Sequence, residues 1–202
     1  MQLHTSAIAP SPRRVHIFAA EKGIDLPRVE VDINSMENRK QPFMELNPMG
    51  KVPVLELDDG SFLSESMAIC RYLEDLHPEP NLLGRDAREA AFVEMWNRRM
   101  EHEIVLSVFA TFQNTHDYFK ERIEQVPEYG EVSKRNVLGR LAWMDGELAQ
   151  RPYVAGDRFT VADITLLAAV DFGRVTGIRI QDDQQNLARW HESVSSRPSA
   201  GA

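Results

Sequence analysis

The stretch VPVLELDDGSFLSES, Val52 to Ser66, constrains the fold of this chain more than any other. Two apolar runs flank Asp59-Gly60, a pair that signals a hairpin because glycine accepts the positive φ a tight turn demands. The run SMAICRYLEDL follows at once, with Ile69, Cys70, Leu73 and Leu76 spaced to share one helical face. A hairpin that feeds straight into a helix points to a small mixed α/β layer.

The residues before it alternate in the same way. QLHT reads as a strand and SPRRVHIFAAEKG as a helix, with Ser11 expected as N-cap, Pro12 at the first helical position and Gly23 just past the end. RVEVDI alternates Val29, Val31 and Ile33 as a strand does. ENRKQPFMELN reads as a short irregular helix that stops at Asn47-Pro48. The order is strand, helix, strand, helix, hairpin, helix.

HPEPNLLGRDAR, rich in proline, glycine and charge, reads as a linker, and every later segment reads as helix. Phe92, Trp96, Met100, Ile104 and Val108 form one drifting stripe, and Val137, Leu138, Leu141, Met144 and Leu148 another. Thr160 stands three residues before Asp163, an acidic version of the capping box. A last helix around NLARWHESVSS stops at Arg197-Pro198. The expected organisation is an α/β domain over 1–79, a linker over 80–87 and an all-helical domain over 88–202.

With 43% apolar and 27% charged residues, 202 residues are ample for a core. A net charge of −8 argues against a nucleic-acid partner, since phosphate binding needs clustered Lys and Arg. The longest apolar stretches, such as VLSVFATF, are too short to span a bilayer, and no apolar signal stretch precedes the first strand. Cys70 is the single cysteine, so neither an intrachain disulfide nor a thiolate metal cluster is available; it reads as a small core residue in a cytoplasmic protein. His102-Glu103 lacks the second histidine of a zinc-protease motif, and His102 and His116 share no ligand-like spacing, so no metal site is expected.

Several segments, in order along nearly the whole chain, resemble the cytosolic glutathione transferase family: SPRRVHIFAAEKGI, FMELNPMGKVPVLELDDGSFLSESMAICRYLED, PYVAGDRFTVADITL and the closing Trp190 with Arg197-Pro198. The likeness is to a bacterial member near the theta-like branch. It implies a thioredoxin-like N-terminal domain that binds glutathione as co-substrate. It also implies an all-α C-terminal domain lining a pocket for a small apolar electrophile, and a homodimer with one site per subunit. The Val52–Pro53 bond is then expected to be cis, turning the Val52 N–H and C=O toward the ligand's cysteinyl backbone as one strand pairs with another. Ser66, opening a helix, suits a carboxylate, and Glu65 suits an ammonium group, matching the two charges of the γ-glutamyl end. Asn38, Arg39 and Lys51 are candidates for the glycyl carboxylate. Arg99, His102, Phe109 and Phe112 are candidates for the electrophile pocket.

The chemistry implied is activation of the glutathione thiol. A free thiol has a pKa of about 8.5. Lowering it by about two units takes roughly 2.7 kcal/mol of preferential thiolate stabilisation. A helix N-terminus offers about 0.3–1 kcal/mol, and a hydrogen bond to a charged group about 1.5–3 kcal/mol. A hydroxyl near the sulfur is therefore wanted. The serine of theta-like relatives falls on Ala9 here, and no Tyr or Cys occupies the loop. Ser11 is the nearest hydroxyl, with Thr5, Ser6 and a backbone N–H as alternatives. The family pattern supports a transferase. It leaves open a glutathione-dependent disulfide reductase or peroxidase, and a ligand-binding protein without turnover.

Overall fold

In the computed structural model, which describes residues 1–202, the chain opens with strand β1 (Gln2–Thr5), helix α1 (Pro10–Glu21) and strand β2 (Arg28–Glu30). A 3-10 turn at Glu37–Arg39 and the four-residue α2 (Phe43–Leu46) follow, where a single irregular helix was expected; the cis Gln41–Pro42 bond separates them. The hairpin is β3 (Val54–Glu56) and β4 (Phe62–Ser64), with Gly60 at φ +82° in its turn. Helix α3 (Ser66–Leu76) comes directly after it.

The sheet order is β2-β1-β3-β4, with β1 parallel to β2 and antiparallel to β3, and β3 antiparallel to β4. The parallel pair is possible because α1 supplies the crossover. Leu3, Val15, Phe18, Leu55, Ile69, Cys70 and Leu73 are all buried, whereas Leu76, at the frayed end of α3, is exposed. A second cluster joins Val31, Phe43 and Val54, with Leu46 and Val52 packed against it, and so anchors the segment before β3. Lys22 is fully buried at the end of α1, where its ammonium donates to the carbonyls of His77 and Pro80 and pairs with Glu74 at 2.6 Å. Two of its three donors meet carbonyls, and Glu74 supplies the opposite charge.

Two compact units result: Met1–Asn81 together with Pro198–Ala202, and Leu82–Arg197. The first boundary falls close to the expected linker. Residues 198–202, expected in the helical domain, pack with the first unit instead.

The helical unit contains α4 (Ala87–Arg99), a π-helical turn (Met100–Val105), α5 (Leu106–Thr115), α6 (Pro127–Leu148), α7 (Val161–Gly173) and α8 (Gln185–Ser195). Four-residue steps overshoot a 3.6-residue turn by about 40°. The wider π turn takes that overshoot back and keeps Trp96, Met100, Ile104 and Val108 all buried, while Phe92, one step earlier in the expected stripe, is exposed. Thr160 and Asp163 form the capping box. The Asp163 carboxylate also accepts from the Val154 N–H and the Trp190 indole N–H, each at 2.9 Å. No helix is long and apolar enough to cross a membrane.

Candidate functional site

Strand register brings three chain segments to one end of the sheet. His4 lies opposite Val54, and Val54 opposite Ser64. The end of β1, the start of β3 and the end of β4 are therefore neighbours. Each leads into a candidate segment: the loop opening α1, the Val52–Pro53 bond, and Glu65–Ser66 opening α3.

Helix α1 starts at Pro10, with Ala9 as N-cap and no side-chain cap. Ser11 is thus the second helical residue and not the cap, because Pro10 already takes the first position with a φ suited to it. Pro10 and Pro12 carry no N–H, and the Arg13 N–H reaches the Ala9 carbonyl at 3.4 Å. The N–H and hydroxyl of Ser11 are left as uncommitted donors in this first turn. Thr5, another candidate, is buried, and its hydroxyl bonds His16 Nε2 at 2.8 Å. Burial, reinforced by the nearby Arg28 charge, lowers the His16 pKa to about 4, so the imidazole is neutral at pH 7. Ser6 is buried, and its carbonyl accepts from the Ala9 N–H.

Val52–Pro53 is cis, as expected. The Val52 N–H and C=O find no partner within the chain. Buried Asn47 braces the preceding loop: its amide donates to the Lys51 carbonyl at 2.8 Å and its oxygen accepts the Met49 N–H. Asn38 donates to the Gly50 carbonyl at 2.7 Å, and Arg39 to the Met49 carbonyl at 3.2 Å. Gly50, at φ +59°, lies so close that a Cβ there would meet the Asn38 carbonyl at 2.8 Å. Asn38 and Arg39 therefore hold the loop, and Lys51 stands exposed beside it.

At α3, Glu65 takes φ +71° and ψ +115°, a conformation rare outside glycine. Its side chain does not cap the helix, and the N–H groups of Ser66, Met67 and Ala68 have no partner within the chain. Ser66 is buried and Glu65 is exposed without an ion pair.

In the helical unit, Phe109 and Phe112 both meet Phe172, at 5.7 and 4.9 Å between ring centroids. Phe112 also touches His116, Tyr118 and Phe119, and the Arg122 guanidinium lies 3.8 Å from the Tyr118 centroid. Arg99 and His102 do not join this cluster. Arg99 lies over Trp96 at 4.7 Å, beside Arg151 and stacked Trp143, and His102 is exposed on the π turn.

Family models match both units: the glutathione S-transferase N-terminal domain matches residues 9–76, and the glutathione S-transferase C-terminal domain matches residues 100–198. The chain belongs to the glutathione transferase family. Glutathione S-transferase 2 of Saccharomyces cerevisiae is 32% identical over 98% of this chain and 87% of its own. Maleylacetoacetate isomerase of Pseudomonas aeruginosa is also 32% identical, over 86% of this chain and 83% of its own. The crystal structure of Gtt2 from S. cerevisiae superposes with a TM-score of 0.95 at 32% identity, covering 100% of this chain and 99% of that one. The class Gtt2 glutathione S-transferase of Vibrio parahaemolyticus is 38% identical with a TM-score of 0.86, covering 98% and 95%.

Sequence reasoning missed several residues that shape these candidate segments. Asn47 reads as a mere helix stop, although an Asn-Pro pair three residues before a glycine also marks an Asx-type turn. The pairing of Thr5 with His16 joins residues eleven apart on different elements and leaves no local signal. Phe172 lies far from the long helix in sequence and meets it only in the folded unit, while Tyr118 and Phe119 turn back onto Phe112 from just past the helix end.

Proposed function

We propose that this glutathione transferase activates the glutathione thiol for attack on a small apolar electrophile. The carrying observation is the set of uncommitted groups at one sheet end. Val52 N–H and C=O suit the cysteinyl backbone, the N–H groups of Ser66 to Ala68 with the Ser66 hydroxyl suit the γ-glutamyl carboxylate, and Glu65 suits its ammonium. Arg39 and Lys51 extend the same edge toward the glycyl carboxylate. The sulfur then lies at the opening of α1, where Ser11 supplies both donors. An N-terminus worth about 0.3–1 kcal/mol and a charge-assisted hydrogen bond worth about 1.5–3 kcal/mol together reach the roughly 2.7 kcal/mol required. The aromatic face of Phe109 and Phe112 is the proposed contribution of the helical unit to electrophile binding. The family pattern extends the proposal to a cytoplasmic homodimer.

Titration of the thiolate absorbance of bound glutathione tests this. Ser11→Ala keeps the backbone N–H and should raise the bound-thiol pKa by about one to two units. Ser11→Pro removes both donors and should abolish the shift. An unshifted pKa in the wild-type protein would end the conjugation reading and favour a carrier without turnover, the alternative to which Ala9 lends weight. A shift that survives both substitutions would clear Ser11.

A further inference from the structure

Residues 198–202 pack within the first unit, where they grip α1 at both ends. Arg13, in the first turn, donates from Nη2 to the Ala200 carbonyl at 3.3 Å. The Ser199 hydroxyl, buried, donates to Glu21 Oε1 in the last turn. The first turn is weakly held by its own backbone. Its two prolines cannot donate, and its first backbone hydrogen bond, Arg13 to Ala9, is long at 3.4 Å.

We infer that Ser199–Ala200, acting through Arg13, is a positioning element for the opening of α1 and so governs how Ser11 meets a bound thiolate. The consequence for the thiolate rests on the function proposed above; the mechanical part does not. Arg13 touches no reacting atom in this scheme. It transmits the anchorage of residues 198–202 to the residue two places earlier, where the donors are.

Amide exchange on the ligand-free protein tests the mechanical part. Arg13→Gln, and separately a chain ending at Arg197, should each speed exchange about tenfold at the amide of residue 13, the first-turn N–H bonded to Ala9, while Ile69 and Leu73 of α3 change less than about twofold. Adding Arg13→Gln to the shortened chain should change nothing further at residue 13, because the shortened chain has already lost the Ala200 carbonyl that Arg13 bonds. Arg13→Lys keeps a donor and should restore most of the protection. Unchanged exchange in Arg13→Gln, or a further rise at residue 13 when Arg13→Gln is added to the shortened chain, would overturn the inference. Arg13→Gln keeps the chain whole, so a shortened protein that fails to fold does not stop the test.

With glutathione bound, the thiolate fraction at pH 7 should fall about fivefold in Arg13→Gln, with affinity for S-methylglutathione held within about twofold. A thiolate fraction that stays constant while exchange rises would overturn the catalytic half. Failure of the wild-type protein to bind either compound would sink the transferase reading alone, since the exchange result needs no ligand.

Discussion

Two helices of the helical unit, α4 and α7, and two of the first unit, α1 and α3, begin in opposite ways. In the helical unit, α4 is capped by Asp86, which accepts the Glu89 N–H at 2.8 Å, and α7 by the Thr160–Asp163 box. In the first unit, α1 and α3 have no side-chain cap. A helix start closed by its own carboxylate is finished and stable. One left open keeps its N–H groups and positive dipole end for a ligand's acid. The same physics thus stabilises α4 and α7 and would serve a bound acid at α1 and α3.

Breaking a closed start should have the largest effect. Asp163→Ala strands the Val154 N–H, Thr160 N–H and Trp190 indole donors in a fully buried site, and should cost roughly 3–5 kcal/mol in urea unfolding. Glutathione affinity of the protein that remains folded should hardly move.

Next comes the pH dependence, which sets the two units against each other. His16 titrates at about 4 in the native state against 6.5 unfolded, so the unfolded chain binds the extra proton between these values. Its contribution to stability is present above 6.5 and is lost as pH falls toward 4, at most about 3 kcal/mol. Burial raises the Asp163 pKa from 3.8 to about 6 and outweighs the donors that favour its charged form. Its contribution is present below 3.8 and is lost as pH rises through about 6, again about 3 kcal/mol. The two slopes oppose each other between pH 4 and 6. His16→Gln removes one of them, so unfolding free energies across that range should fall with rising pH relative to wild type. Parallel curves for the two proteins would refute the opposition.

Opening further a start that is already open should cost least in stability and most in binding. Ser66→Ala should leave the urea midpoint nearly fixed and weaken glutathione binding by about tenfold or more, as calorimetry would show.

How legible all this was in the sequence depended on how local each cause is. The hairpin at Asp59-Gly60, the capping box at Thr160 and Asp163, and the buried Cys70 are written in neighbouring residues, and each appears where the pattern places it. The start of α1 was misplaced because Ser11 and Pro12 offer good cap signals, yet Pro10 offers an earlier one. Only the backbone geometry decides between them. Asn38 and Arg39 read as ligand contacts, and the bonds that both also make to the Met49–Gly50 carbonyls depend on a loop folding back across ten or so residues. Pairings such as Thr5 with His16, or Arg13 with Ala200, have no sequence signature at all.

The division of the chain carries a consequence for its synthesis. Because residues 198–202 belong to the first unit, the whole helical unit is an insertion within it. A ribosome delivers the chain from one end, and segments fold as they emerge. The sheet would be in place early, but its first helix would wait, half moored, through more than a hundred further residues before the strand of chain that ties it down came out of the tunnel.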